Sequence, residues 1–169
     1  MYPKEVEKIL LKVQKPGKYT GGELNAVIKN KDEVDLRFAF CFPDTYEVGM
    51  SHLGMKILYS LFNSVPYIWC ERVFAPWIDM EEQMLKHNIP LYALESGDAL
   101  SEFDFIGFTL QYELSYTNVL NMLKMGNVPV LSKDRTELKN IVVAGGACAS
   151  NPEPLADCED LNQEETTEE

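Results

Sequence analysis

Residues 34–61, VDLRFAFCFPDTYEVGMSHLGMKILYSL, restrict the possible folds more than any other stretch of the chain. The apolar run Leu36, Phe38, Ala39, Phe40, Cys41, Phe42 is too short for a helix and stops at Pro43, so it reads as a buried strand. From Leu53 onward Leu53, Ile57, Leu58, Leu61 and Phe62 recur at helical spacing, and Gly49 and Gly54 close the loop between. Strand, loop and helix in that order form the first half of a βαβ unit. In open α/β sheets, ligands sit above the strand ends where such loops gather.

The flanking sequence extends this pattern. Val6, Ile9, Leu10 and Val13 predict a short amphipathic helix stopped by Pro16-Gly17, then a turn-rich loop and a short edge strand at 26–28. Residues 67–74 read as a second strand, and Pro76-Trp77 leads into a helix with Met80, Met84 and Leu85 on one side, ending near Asn88. A short third strand is expected at 91–94. The apolar run 103–110 predicts a strand buried on both faces, followed by a helix capped by Ser115 or Thr117. Residues 141–144 form the last core strand, ended by Gly145-Gly146. Strands alternating with helices predict an α/β, Rossmann-like (flavodoxin-like) parallel sheet with helices on both faces and an N-terminal arm. The expected organisation is an arm over 1–33, the sheet domain over 34–156 and an acidic, unstructured tail over 157–169.

Charge supports that division. Of the net charge of −12, −7 falls in residues 157–169, leaving an unremarkable −5 on the rest. A nucleic-acid surface is therefore not expected. No apolar run approaches the roughly 20 residues needed to span a bilayer, and no export signal starts the chain, so a cytoplasmic location without membrane association is expected. Cys41, Cys70, Cys148 and Cys158 lie far apart and write no metal knuckle or redox pair.

The loops expected at the strand ends carry glycines, hydroxyls and amides: Gly49, Ser51, His52, Gly54, Ser96, Gln111, Tyr112, Ser115, Thr117, Gly145, Gly146, Ser150 and Asn151. Such a rim suits a large polar ligand held through backbone and hydroxyl contacts, although any α/β domain has such residues at its turns. Neither GxGxxG nor GxxxxGK[ST] is present. His52 could ligate a metal or act as acid or base, and a loop histidine beside Ser51 equally serves by bonding the local backbone. Glu47, His52 and Glu113 would make a hydrolytic set only if the fold brought them together.

PDTYEVGMSHLG, ERVFAPW, LQYELSYTNVLNML and GGACASNPEP, in this order, resemble the N-terminal, B12-binding-type region of a family of large radical S-adenosylmethionine (SAM) proteins. The resemblance runs from about Pro16 to Asp157. It implies a domain that holds a cobalamin over its strand ends beside a radical SAM barrel, supplied in cis or in trans. The positions it carries over are Val48, Gly49, Ser51, His52 and Leu53 after the first strand, Gln111, Tyr112 and Ser115 after the 103–110 strand, and Gly145 and Gly146 after the last. Two departures stand out. The cobalt-ligating Asp-x-His-x-x-Gly motif is replaced by Gly49-Met50-Ser51-His52-Leu53-Gly54, and no C-x-x-x-C-x-x-C triplet is present for a [4Fe–4S] cluster. A [4Fe–4S] cluster and SAM would then belong to a full-length or partner chain, with this chain an accessory domain not catalytic alone. A cofactor-free docking domain of the same fold is the alternative.

Overall fold

A computed structural model describes residues 2–135 and 139–162. Helix α1 (Lys4–Leu10) precedes strand β1 (Leu36–Phe42), and α2 (Tyr46–Ser51) and α3 (Leu53–Ser64) lead to β2 (Ile68–Phe74). Helix α4 (Ile78–His87), β3 (Phe105–Thr109), α5 (Tyr116–Met125), β4 (Ile141–Gly145) and β5 (Leu161–Asn162) follow. Among the described residues the five strands form one sheet in the order β2-β1-β3-β4-β5, every pair parallel. This is the Rossmann-like α/β architecture expected, in its flavodoxin-like order. No helix among the described residues is long and apolar enough to cross a membrane.

The sheet separates two apolar layers. Ala39, Cys41, Val73, Ile106, Phe108 and Val142 pack with α1, α4 and α5. On the opposite face Phe40, Phe42, Cys70 and Phe74 pack with Met55 and Tyr59 of α3. In-register pairing sets Phe38, Phe105 and Ile141 in one row across that second face, with Phe38 stacked on Phe105 at 6.4 Å. Beyond α3 the cover thins: Val142 and Ala144 are buried, but Ile141, Val143 and Gly145 between them are only half-buried. A parallel strand reading Ile-Val-Val-Ala is apolar on both sides, and among the described residues no helix buries its α3-side face.

Helix α3 corrects the expected face. Leu53, Ile57, Leu58 and Leu61 are exposed, and Met55 and Tyr59 are the buried positions, with Phe62 packed at their edge. The aromatic layer of β1 already fills the space below. The helix seats there through one thioether and one tyrosine, whose hydroxyl accepts from the Val27 N–H at 2.8 Å.

Other expectations are also adjusted. The Asp44–Gly54 loop contains α2, leaving His52 as the break between two helices. Residues 26–28 form no strand. Residues 91–94 are a buried loop with a single bridge, Tyr92 to Ala99, because their N–H groups go to three different elements: Leu91 to Met125 O, Ala93 to Asp98 O and Leu94 to Arg72 O. Leu85 of α4 is exposed while Met80 and Met84 are buried, and Asn88 ends that helix in the left-handed conformation. The expected unstructured tail is ordered over 157–162. Cys158 and Glu159 are buried there, and β5 extends the sheet beside β4, where Asp160 fixes the turn by accepting from the Val142 N–H. Residues 163–169 of that expected tail lie outside the described residues.

Candidate functional site

The strand order reverses at β1: β2 lies on one side and β3 on the other, so the crevice above the strand ends opens between the loops after β1 and β3. Two side-chain bonds span it. Tyr112 donates its hydroxyl to Asp44 Oδ2 at 2.5 Å, and Asn118 Nδ2 donates to Pro43 O at 2.9 Å. Asp44 Oδ1 also accepts from the Thr45 N–H at 2.6 Å. The bond to the Asp44 carboxylate, more than burial, holds the Tyr112 phenol above its ordinary pKa. Asp44 and Asn118 escaped the sequence reading; the visible signal for Asp44 was an acidic residue directly after a strand-ending proline.

The loops after β3 and β4 also meet. The Leu110 N–H donates to Gly145 O at 2.7 Å, and the Cys148 N–H donates to Leu110 O at 3.1 Å. Gly146 has φ +124°, and a Cβ there would lie 2.6 Å from Leu110 O and 3.1 Å from Gln111 Nε2. Its missing side chain is thus explained by the close approach of two backbones. Gln111 Nε2 donates to Thr109 Oγ1, and buried Ser115 donates to Tyr112 O.

Around α2 the expected residues divide. Val48 and Leu53 are exposed, and Ser51 donates to Val48 O at 2.7 Å. Gly49 is buried, and a Cβ there would stand 2.6 Å from Phe74 Cδ1, so packing requires that glycine. His52 caps α3: its Nδ1 accepts from the Met55 N–H at 3.2 Å, and its ring lies 5.4 Å from Phe42. That bond needs an unprotonated Nδ1, leaving Nε2 as the nitrogen still open to a ligand.

The hydrolytic set is not assembled. Glu47 faces the arm, 3.4 Å from Lys15 Nζ and Lys18 Nζ, and backbone hydrogen bonding together with Lys18 holds its carboxyl below the usual range. Glu113 lies across the crevice, on the side of Tyr116 and Cys148. Ser96 is also absent from the rim. Because 91–94 is a loop and not a strand, Ser96 sits near the start of β1, accepting from Arg37 Nη2 at 3.2 Å and donating its N–H to Glu71 Oε2 at 2.9 Å. Among the described residues no group of three histidine, cysteine or acidic side chains is arranged to hold a metal ion.

A family model described as "Radical SAM proteins, N-terminal" matches residues 54–165, two thirds of the chain. No curated protein and no solved structure matches it.

Proposed function

We propose, from the premise that this chain belongs to the family of N-terminal domains of radical SAM proteins, that its strand-end rim holds a cobalamin for the radical SAM catalytic domain it serves. The observation that carries this reading is the topology: a 2-1-3-4-5 parallel sheet has its ligand position above the β1/β3 switch point. The loops after β1 and β3 bound that crevice, and the loop after β4 packs against the loop after β3. The fit extends to the outer rim, where Tyr112, Gln111 and the exposed backbone at Gly146 can meet amide and phosphate groups of a corrinoid. It does not extend to cobalt ligation by an aspartate-oriented histidine. His52 Nδ1 is committed to its helix, and among the described residues no carboxylate is bonded to the ring.

A bound corrinoid would supply methyl-group or electron transfer to the radical step. This chain's own residues bind and orient. Asp44 and Tyr112 set the width of the crevice, and Gly146 lets the β4 loop lie flush against β3. The [4Fe–4S] cluster and SAM belong to the catalytic domain, since the four cysteines here are separate and Cys41 and Cys70 are buried with pKa values pushed well up by burial.

The second reading is a docking domain without cofactor. It is favoured by the half-covered β4 face beside α3 and by the exposed Leu53, Ile57 and Leu61, apolar area that a catalytic domain would bury. Hydroxocobalamin titration followed by gel filtration separates the two. Corrinoid absorbance co-eluting with protein, and lost in Gln111→Trp, supports cobalamin binding. No co-elution from a chain shown by circular dichroism to be folded leaves the docking domain.

A further inference from the structure

A cleft of ≈ 680 Å³ opens on the outer side of the sheet, away from the switch point, between α3, the arm residues 23–27 and edge strand β2. Its volume lies within the range of small-molecule sites, roughly 300–1,000 Å³. Leu24, Val27, Met50 and Met55 give it apolar walls, and Arg72 forms part of its lining.

Arg72 is the unusual feature. It sits beside Glu71 in an edge strand whose other residues are apolar, and is 6 % exposed. Its Nε donates to Glu95 Oε1 at 2.6 Å, and its backbone N–H donates to Glu95 Oε2 at 2.7 Å. The guanidinium lies 4.6 Å from the centre of the Tyr59 ring. The side of the fork away from Glu95 is poorly served. Among the described residues Nη1 reaches only the Met50 thioether at 3.4 Å, and Nη2 has no hydrogen-bond partner. A charged donor screened from water and left without an acceptor is costly, and the flexible Met50 side chain is what covers it. An oxygen pair entering past Met50 would satisfy both terminal nitrogens in the planar, two-pronged geometry that arginine offers.

Charge selects among oxyanions. Arg72 and Lys56 on the cleft wall are balanced by Glu95 and by Glu23, whose Oε1 accepts from the Tyr46 hydroxyl. A balanced wall accommodates one negative charge and disfavours two. We infer that this cleft is a binding site for a small organic monocarboxylate with an apolar or aromatic body, its carboxylate held by the terminal nitrogens of Arg72. The site is distinct from the Asp44–Tyr112 crevice proposed for the corrinoid, the two having Gly49 of α2 in common.

The test is an amide ¹H–¹⁵N NMR titration with benzoate, phenyl phosphate and benzamide at millimolar concentrations. Benzoate is expected to shift the Met50, Met55 and Tyr59 amides saturably, with phenyl phosphate weaker and neutral benzamide weaker by about tenfold or more, since an interaction to a charged group is removed. Ser60→Trp, an exposed position on α3 that lines the cleft, fills it without touching the Arg72–Glu95 pair and should abolish binding. Arg72→Lys, which keeps the charge beside Glu95, should weaken benzoate by about tenfold. Cobalamin retention by Ser60→Trp should match the parent chain, so the two sites fail or succeed separately. No saturable benzoate shift, equal binding of benzamide, or benzoate binding unchanged in Ser60→Trp would overturn the assignment.

Discussion

Truncating α3 one residue at a time distinguishes its two apolar stripes. Met55 is 2 % exposed and packs with Phe40, Phe42, Cys70 and Phe74, whereas Ile57 and Leu61 are 57 % and 59 % exposed. Met55→Ala removes buried atoms and leaves a cavity against a rigid aromatic layer, a change that typically costs ~2–5 kcal/mol. Ile57→Ala and Leu61→Ala remove side chains already mostly in water, and alanine favours the helix, so each should stay within ~0.5 kcal/mol. In a chain of this length each kcal/mol moves the melting temperature by roughly 2–4 °C. Taking about 3 kcal/mol, Met55→Ala should melt roughly 6–12 °C lower, with the exposed pair within about 2 °C of the parent. Urea denaturation at constant m-value checks the same ranking. A loss at Ile57 or Leu61 equal to that at Met55 would refute the seating of the helix and return the core to the stripe that hydrophobicity alone favours.

Glu159 is buried, among the described residues without a hydrogen-bond partner on either oxygen, and burial raises its carboxyl to about 7. A raised folded-state pKa makes stability fully present below the unfolded value near 4.5 and lost as pH rises through about 7, a change of at most ~3 kcal/mol. Glu159→Gln should therefore match the parent at pH 4, exceed it at pH 8 and flatten the urea midpoint between them; a parent midpoint independent of pH over this range would contradict the assignment. Gly146→Ala forces a Cβ to 2.6 Å from Leu110 O at φ +124° and should cost more than the ~1–3 kcal/mol of backbone strain alone, measured by urea denaturation. Asn63 joins α3 to the sheet edge, its Nδ2 donating to Tyr59 O and Cys70 O and its Oδ1 accepting from the Cys70 N–H. Asn63→Ala should lower stability by ~1–3 kcal/mol and speed hydrogen exchange at Cys70, and an unchanged exchange rate there would show the bond to be dispensable.

Strands β1, β2 and β4 were legible because each is a largely apolar run with a physical stop, Pro43 after β1, Pro66 before β2 and Gly145-Gly146 at β4, whereas β5 lies in an acidic stretch without such a run. The α3 face was not, because the helix carries two stripes of helical period, one of Leu53, Ile57 and Leu61 and one of Met55, Tyr59 and Phe62. The first is the more hydrophobic, but the layer beneath is already filled by phenylalanines. The second stripe also brings a hydroxyl that the Val27 N–H can use. That choice is made by tertiary packing, which periodicity does not encode. The 91–94 segment failed for a related reason: a buried apolar run is strand-like in composition, yet its backbone partners are scattered over Met125, Asp98 and Arg72.

The glycines of the rim were legible as places where a side chain cannot stand, but not as to what excludes it. At Gly49 the obstacle is Phe74, and at Gly146 it is the Leu110 carbonyl. Both are internal, so neither position is evidence for a ligand by itself, and the weight of the corrinoid reading shifts to topology and to the Asp44–Tyr112 span. Strand β2 carries the opposite lesson. Glu71 and Arg72 are adjacent charges in a strand buried on both faces, and alternation sends them to opposite sides, where each must find a counter-charge. Glu71 pairs with Arg37 on one face and Arg72 with Glu95 on the other. Among the described residues the terminal nitrogens of Arg72 are left without an oxygen acceptor once that pairing is made, beside the Met50 thioether and the Tyr59 ring. A charge pair in an apolar edge strand was therefore the sequence signal for the second cleft, and it was written in ERVF, inside a motif that pointed to the family.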